Sequence, residues 1–321
     1  NYIIKGLCVL GAVLADQTVA SARSLFRKKE KPLLAADNEK ALAAIRENDR
    51  HVLELSHIDK SFSGIPVLKD ISLKIEGGRV HALMGENGAG KSTLIKIISG
   101  IYQKDGGTLS IDGIPVDIHS AADSQKLGIA VIYQEFALIP ELNIAQNAFL
   151  GKEKRKWNLF LSVPEMEKET GKYMDLLHLR TSVTRKVRDL SVSQQQMVEI
   201  AKAMGSDSWL VVMDEPTSAI TDADKEELFK VIREMKAAGM AIVYVSHRMG
   251  EIFEICDDVT VLRDGGYIAT KKVSETTEQE LTRLMVGREV NDVFLREKVS
   301  VDQAEEPVFK VENLSRRGAF D

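Results

Sequence analysis

Short apolar runs, each of a length suited to one strand, recur through the middle of the chain. Four of them are Val80 to Met84 and residues 129–133, 209–213 and 241–246. Continuous apolar runs without alternation are typical of strands that are buried on both faces, as in a parallel sheet covered by helices. The hydrophobic pattern therefore predicts an α/β fold built around a parallel sheet.

Polar or glycine-rich sequence follows each of these four runs. Gln134, Asp214 and His247 come directly after three of the runs, and Gly85 opens a glycine-rich loop after the fourth. In an open parallel sheet, ligands bind beyond the carboxyl ends of the strands. We therefore expect the four strand ends to converge on one crevice.

The loop after Met84 reads GENGAGKST and fits the Gly-x-x-x-x-Gly-Lys-Ser/Thr pattern of phosphate-binding loops. Its glycines let the backbone turn tightly with N–H groups pointing inward, and the helix predicted over residues 91–99 adds the positive end of its dipole. The sequence therefore predicts a nucleotide site. Its members are Gly85, Glu86, Asn87, Gly88, Ala89, Gly90, Lys91, Ser92 and Thr93.

Charged residues around this loop predict phosphate chemistry. Lys91 supplies a mobile charge for the β- and γ-phosphates, and the Ser92 hydroxyl is the expected magnesium ligand. Asp214 closes an apolar strand, where its carboxylate reaches magnesium directly or through water. Glu215 follows at once, and a carboxylate over the γ-phosphate orients the attacking water and takes its proton. We expect ATP hydrolysis with Mg²⁺.

Gln134 and His247 complete the predicted catalytic set. The Gln134 amide would bind magnesium or the attacking water, and His247 would donate to the γ-phosphate or hold that water. Either residue alone carries little weight, because a lone glutamine or a satisfied loop histidine is common. Their places at strand ends beside a phosphate loop favour the catalytic roles. No role is predicted for His51, His57, His81, His119 and His178.

Composition narrows the class of protein further. The 321 residues exceed one average domain, and 44% hydrophobic with 28% charged content is ordinary for a soluble globular protein. A formal net charge of −5 offers no basic face for nucleic acid. Cys8 and Cys256 match neither a disulfide nor a metal pattern, which fits inert thiols in a reducing compartment.

The start of the chain differs from its middle. Residues 2–15 are apolar apart from Lys5, and a basic cluster follows at residues 27–31. This pattern predicts the tail of a transmembrane helix over residues 1–24. A secretory segment, a buried amphipathic segment and sequence foreign to the natural protein stay open as alternatives.

Four further divisions are predicted along the chain. They are a charged linker with some helix at residues 25–50, one folded nucleotide-binding unit at 51–290, a polar linker at 291–306, and the start of a second such unit at 307–321. The second unit is inferred from a repeated spacing. Val308, Val311 and Leu314 repeat the spacing of Val52, Leu55 and Ile58.

Along nearly all of residues 51–290 the chain resembles the ATP-binding cassette family, whose motifs occur here in the family's order. The resemblance implies a P-loop NTPase core of the RecA type with an antiparallel β subdomain and an α-helical signature subdomain. It also implies that Phe62 stacks on adenine, with hydrophobic packing as the alternative. The matching motifs are Walker A at 85–92, the Q-loop at Gln134, the signature at 190–194, Walker B at 211–215, the D-loop at 218–222 and the switch histidine His247.

Two stretches look like the first half of the tandem ATPases of bacterial monosaccharide importers, of the ribose, galactose and xylose type. They are SQQQMVEIAK at residues 193–202 and SHRMGEIFEICDDVTVLRDG from Ser246. The resemblance implies ATP and Mg²⁺ as ligands, and a membrane permease and a second nucleotide-binding domain, fused or in a homodimer, as partners. An external sugar-binding protein would be an indirect partner. The chain would act at the cytoplasmic face of the bacterial cell membrane, peripheral or fused to the permease.

The signature departs from the family's pattern. It reads LSVSQ, so Val192 and Ser193 replace two glycines and add side chains where the family's backbone approaches a γ-phosphate. By resemblance, Ser191 and Gln194 contact a nucleotide held by the partner cassette's Walker A loop. The departure therefore concerns the site shared with the partner and not the site that contains Lys91.

Residues 134–150 are more apolar than a surface loop requires. Phe136, Leu138, Ile139 and Leu142 predict permease docking, with packing inside the helical subdomain as the alternative. The sequence disfavours two other functions for the whole chain. A soluble cassette that clamps nucleic acid is disfavoured by the acidic balance, and a regulatory subunit without turnover is disfavoured by the adjacent carboxylates after residue 213.

Overall fold

The computed structural model describes Asn38 and residues 51–156, 160–205 and 208–287. The predicted membrane segment at 1–24, the linker at 291–306 and the second unit at 307–321 lie outside the described residues. The same holds for Cys8 and for all of the linker at 25–50 except Asn38. These domain boundaries therefore stay predictions.

The strands are β1 (Val52–Phe62), β2 (Ile65–Glu76), β3 (Val80–Met84), β4 (Gly106–Ile111), β5 (Ile114–Val116), β6 (Ile129–Ile132), β7 (Arg155–Lys156), β8 (Phe160–Leu161), β9 (Leu210–Asp214), β10 (Ala241–Val245), β11 (Asp258–Arg263) and β12 (Gly266–Lys272). Ten of them form one mixed sheet in the order β5-β4-β1-β2-β12-β11-β3-β10-β9-β6. The other two, β7 and β8, form a separate hairpin.

The helices are α1 (Lys91–Ile98), α2 (Ala121–Lys126), α3 (Ile144–Ala148), α4 (Val163–Leu176), α5 (Val192–Met204), α6 (Asp222–Ala237), α7 (Met249–Ile255) and α8 (Glu278–Val286). Two short 3-10 helices lie at Val187–Asp189 and Val273–Glu275. Among the described residues, no helix has both the length and the apolar content needed to cross a bilayer.

The four apolar runs form the parallel half of the sheet, as predicted. Strand β10 pairs in parallel with β3 and β9, and β6 pairs in parallel with β9. Successive residues of β9 point to opposite faces, so Val211 and Met213 lie in one hydrophobic cluster and Leu210 and Val212 in the other. All four side chains are fully buried, which is why the run is continuously apolar.

Strands β1, β2, β4 and β5 form an antiparallel half, which matches the predicted antiparallel subdomain. Buried and partly exposed positions alternate along β1, where Leu53 and Leu55 face the core. This alternation is typical of a strand with one covered face. Together with the parallel half and the helices, it confirms the predicted α/β class with an antiparallel subdomain.

Helices α3, α4 and α5 pack against one another and form the helical layer. Ile144, Met174 and Met197 join the same hydrophobic cluster as the parallel strands. In the segment predicted to dock on a permease, Leu138 packs against this cluster, whereas Ile139 is 40% exposed. Much of that segment's apolar character therefore serves packing within the subunit, and the part of it that faces solvent includes Ile139.

Asn38 is a buried polar residue held by the backbone of the loop after β5. Its amide nitrogen donates to the Asp117 carbonyl at 2.7 Å, and its amide oxygen accepts from the Asp117 N–H at 2.9 Å. The predicted linker therefore touches the folded unit at this residue.

Candidate nucleotide site

The carboxyl ends of four parallel strands lie side by side at one edge of the sheet. Because β10 lies between β3 and β9, and β6 lies beyond β9, the strand ends face the same way. Asp214 ends β9, and the sequences that follow β3, β6 and β10 bring Gly85, Gln134 and His247 to this edge. The predicted convergence of the strand ends is confirmed.

Glycines allow the loop after β3 to turn over the end of that strand. Gly88 and Gly90 have φ angles of 85° and 99°, in the left-handed region that side chains rarely adopt. A Cβ added at Gly90 would lie 2.4 Å from a leucine side chain of β2, whereas one added at Gly88 would meet nothing within 4 Å. Gly88 is exposed together with Glu86 and Asn87, so this side of the loop is open to a ligand.

Helix α1 begins directly after this loop. Its N-cap Gly90 provides no side-chain acceptor, and no acidic residue lies in the first turn. N–H groups without acceptors and the positive end of the helix dipole favour an anion at this place. Ser92 is exposed, Thr93 is half-buried and Ala89 is buried behind the loop. The loop and the helix start thus fit a phosphate group.

Lys91 folds back across the loop. Its Nζ donates to the carbonyl of Gly85 at 2.7 Å and to that of Glu86 at 3.0 Å. Burial lowers the pKa of Lys91, whereas the charges of Glu215 and Asp214 raise it. The cation therefore lies between the loop's carbonyls and the two carboxylates, where it can meet a polyphosphate.

Asp214 is a half-buried carboxylate beside two cations. Burial raises the pKa of Asp214 and the neighbouring Glu215 raises it further, while Lys91 and Lys96 lower it. Magnesium prefers oxygen ligands and usually binds one or two carboxylates together with substrate phosphates. In the part of the chain that is described, no group of three or more His, Cys, Asp or Glu forms a metal cage. The oxygen donors at Asp214 fit a cation that shares its ligands with phosphate.

Asp214→Asn is expected to raise the melting temperature of the nucleotide-free protein at pH 7 to 8 by a few degrees. The pKa of Asp214 is higher in the folded chain than in the unfolded chain, so ionising this group costs stability. The cost is complete above the folded pKa and disappears as the pH falls below the unfolded one. Thermal unfolding of both proteins from pH 7.5 downward measures it. A gain that does not shrink in acid would contradict this explanation.

Glu215 has a left-handed backbone conformation, and its carboxylate contacts His247. Its φ angle is 48°, and its N–H donates to the carbonyl of Val245 at 2.9 Å, which ties the residue to the end of β10. Its Oε1 lies 3.2 Å from Nδ1 of His247. Non-glycine residues in the left-handed region cost free energy and are concentrated at functional sites. The 3.2 Å distance places the predicted base Glu215 in direct contact with the predicted histidine His247.

Phe62 lies at the end of β1 with its ring 38% exposed. The edge of Tyr102 packs on it, with ring centroids 5.0 Å apart and planes at 68°. The ammonium of Lys60 lies 5.3 Å from the Phe62 ring centroid. Phe62 is not part of a buried hydrophobic cluster among the described residues. The ring is therefore partly exposed and also in contact with Tyr102 and Lys60, and its stacking on adenine stays a prediction.

The signature forms the start of α5. Ser191 is its N-cap and exchanges hydrogen bonds with Gln194 in a capping box, in which the Gln194 N–H donates to the Ser191 hydroxyl at 3.3 Å. The hydroxyls of Ser191 and Ser193 lie 3.0 Å apart, and Val192 is 42% exposed. The two substituted positions therefore present their side chains at the helix start.

Glu199 and Lys202 hold the loop after Gln134 and were not predicted from the sequence. The Ala137 N–H donates to Glu199 at 2.7 Å, and the Lys202 ammonium donates to the Ala137 carbonyl at 3.1 Å. Both charged residues belong to α5, so the loop is fastened to the signature helix. A charge at position 199, inside the buried stretch of α5 from Gln196 to Ala201, is the signal that sequence reasoning missed.

His81 and Cys256 have structural roles. His81 is buried, its Nε2 lies 2.7 Å from the Thr260 hydroxyl, and burial lowers the pKa of His81 to about 4. Burial also raises the pKa of the Cys256 thiol, which is consistent with an inert cysteine.

Comparison with known proteins agrees with this geometry. Residues 68–218 match the family model described as ABC transporter. The chain is 44% identical over 270 residues to the ribose import ATP-binding protein of Caldanaerobacter subterraneus, covering 84% of this chain and 54% of that protein. It is 42% identical over 271 residues to the protein of the same name from Halalkalibacterium halodurans, with 84% and 54% covered.

Solved structures show the same fold. The ADP conformation of MJ1267, an ATP-binding cassette of an ABC transporter, superimposes with a TM-score of 0.65 at 25% identity, covering 74% of this chain and 99% of that one. A dimeric post-hydrolysis state of the ATP-binding cassette MJ0796, bound to ADP and Pi, gives a TM-score of 0.61 at 25% identity, covering 69% and 98%.

The chain spans about half the length of the import proteins that it matches. Those relatives lend no support to the alternative of a nucleic-acid clamp. The matched family model, the sequence identity and the shared fold agree with the arrangement of the phosphate loop and the strand ends. This chain belongs to the ABC transporter family, as an ATP-binding cassette.

Proposed function

We propose that this chain binds and hydrolyses ATP and thereby powers the import of a monosaccharide through a membrane permease. The proposal is supported by the similarity to ribose import ATP-binding proteins. The observation that carries it is the 3.2 Å contact between Glu215 and His247 at the edge of the sheet where the phosphate loop begins.

ATP would bind with its phosphates in the loop after β3 and its adenine against Phe62. The backbone N–H groups from Gly85 to Thr93 would hold the phosphate oxygens, and Lys91 would exchange its two loop carbonyls for the β- and γ-phosphates. Mg²⁺ would be held by Ser92, Asp214 and Gln134. When bound, it would neutralise part of the phosphate charge. In this proposal each residue of the predicted set keeps its assigned role.

Hydrolysis would use Glu215 as the general base. Water attacks the γ-phosphorus, its proton passes to a Glu215 carboxylate oxygen, and the bond from the γ-phosphorus to the bridging oxygen of ADP breaks. The contact through Nδ1 leaves Nε2 of His247 available to hold the γ-phosphate or the attacking water. The strained backbone at Glu215 is held by its hydrogen bond to β10, which keeps the carboxylate at this edge.

A second cassette would complete the site. Ser191 and Gln194 would contact a nucleotide in the phosphate loop of that cassette, which is either fused to this chain or a second copy of it. ATP contributes to closure because it binds the closed pair better than the open one. The permease would be contacted by the exposed part of residues 134–150, at the cytoplasmic face of the membrane, and an external binding protein would deliver the sugar.

Phe62→Ala is expected to weaken ATP binding about tenfold, because stacking of a base on an aromatic ring contributes about 1 to 3 kcal/mol. Affinity for inorganic tripolyphosphate, which has no base, is expected to be unchanged. Ile65→Ala is the matched control, since Ile65 is 69% exposed at the start of the next strand. Equilibrium binding of both ligands to the three proteins measures the effect. Equal losses for ATP and tripolyphosphate would rule out stacking.

Uptake of labelled monosaccharides by whole cells tests the proposed transport. Cells that carry Lys91→Ala in place of the native residue are expected to lose uptake of one monosaccharide and to keep the uptake of amino acids. Unchanged uptake of ribose, galactose, xylose and other simple sugars would contradict an import role. Fractionation of the same cells addresses the nucleic-acid alternative, because an importer subunit is recovered with membranes and a translation clamp with ribosomes.

A further inference from the structure

Glu251 is a buried carboxylate that the mechanism above does not use. It lies on α7 and is only 3% exposed. Three hydroxyl groups donate to its oxygens: Thr217 at 2.9 Å, Tyr244 at 2.9 Å and Ser246 at 2.8 Å. A buried charge is tolerated when hydrogen bonds replace its lost water, and this carboxylate is supplied from three directions.

The three donors come from different parts of the chain. Thr217 lies two residues after Glu215, whereas Ser246 lies directly before His247 and Tyr244 lies in β10. Glu251 therefore joins the segment after the predicted base to the segment that carries the predicted histidine.

A further pair of contacts extends this anchor past His247. The Ser246 hydroxyl, while donating to Glu251, accepts the backbone N–H of Arg248 at 3.0 Å. The guanidinium of Arg248 lies 3.5 Å from Glu251. The exposed His247 thus lies between two residues that are both fastened to the same buried carboxylate.

We propose that Glu251 is a positioning residue, which fixes the Glu215 segment and the His247 segment at the mutual distance that hydrolysis requires. The inference rests on the proposed function, because the distance it maintains is that of the Glu215–His247 contact. Glu251 does not touch the reacting atoms in this account. It acts through the Thr217 and Ser246 hydroxyls, and small errors in such placement reduce turnover by large factors.

Glu251→Gln tests this role at constant side-chain size. The amide keeps one acceptor oxygen but removes the negative charge, so the three hydroxyls lose a charge-assisted acceptor and share a single neutral oxygen. Glu254→Gln is the matched control on the same helix, since Glu254 is exposed and pairs with the exposed side chain of Arg233. Both variants change the charge by one unit.

Two readouts are measured on the full chain. Hydrogen exchange in the nucleotide-free protein is expected to rise at least tenfold in residues 215–221 and 246–250 of Glu251→Gln and to stay at the wild-type rate in the other sheet strands. For ATP hydrolysis, kcat is expected to fall at least tenfold with KM within threefold of wild type. Glu254→Gln is expected to match wild type in both.

Each other outcome overturns the inference. Unchanged exchange and a kcat within twofold of wild type would show that Glu251 positions nothing. A rise in exchange spread over the whole sheet, or kcat and affinity falling together, would show a general structural role. If Glu251→Gln does not fold, Ser246→Ala and Thr217→Val each remove one donor, and the same two readouts decide. A wild-type chain that does not bind ATP would contradict the proposed function, while the exchange measurement would still test the anchor.

Discussion

Glu215→Gln is expected to bind ATP with near wild-type affinity and to hydrolyse it about 10³ times more slowly, the range in which general-base catalysis contributes. Glutamine keeps the size of the side chain and tolerates the same backbone φ of 48° to a similar degree, but it cannot accept the proton of the attacking water. Equilibrium binding of ATP and phosphate release under saturating ATP measure the two quantities on the same preparation.

The control for this variant is Glu226→Gln, because Glu226 is an exposed glutamate on α6 to which no role in the site is assigned. It is expected to hydrolyse ATP at the wild-type rate. Equal turnover of Glu215→Gln and wild type would remove Glu215 as the base. A parallel loss of ATP affinity would instead indicate that Glu215 holds the nucleotide.

Lys91→Ala is expected to weaken ATP binding itself, by about 10- to 100-fold, since hydrogen bonds to charged groups contribute about 1.5 to 3 kcal/mol each. In the nucleotide-free chain the substitution removes the two bonds to the loop carbonyls and the attraction to Glu215 and Asp214. Isothermal titration with ATP gives the affinity.

Lys126→Ala is the comparison for that titration. Lys126 is exposed at the end of α2, where its ammonium lies 4.0 Å from Asp123. Its loss is expected to leave ATP affinity unchanged. Unaltered affinity in Lys91→Ala as well would undermine the assignment of the phosphate loop.

The sequence could predict the strands that are buried on both faces, because such strands are continuous apolar runs. Val80–Met84 was predicted to the residue, and the strand ends at Asp214 and near Gln134 and His247 were placed within one or two residues. Continuous apolar runs, glycine spacing and a polar residue at each run's end are local signals. Because these parallel strands are neighbours, the residues at their carboxyl ends lie at one edge of the sheet. Ligands bind at this edge in open α/β sheets.

Contacts between segments that are distant in sequence produce no local sequence pattern. Glu199 and Lys202 reach Ala137 across 62 and 65 positions of sequence, and Thr217 reaches Glu251 across 34. Their partners are backbone atoms or common hydroxyls, which look ordinary in sequence. The apolar segment at 134–150 was predicted as a docking surface, but Leu138 packs inward. An apolar sequence pattern indicates that a residue is buried, but it does not show whether the same subunit or a partner covers that residue.

The rate of ATP hydrolysis by the purified chain, measured as a function of protein concentration with Glu215→Gln as the blank, tests whether this chain is an ATPase that works in pairs. When the second cassette is another copy of this chain, we expect a specific activity that rises with concentration, because each nucleotide needs a signature from the partner, and no rise in Glu215→Gln. Phosphate release by the wild-type chain that equals that of Glu215→Gln at every concentration would contradict a pair of two copies and would assign the missing signature to a fused second cassette.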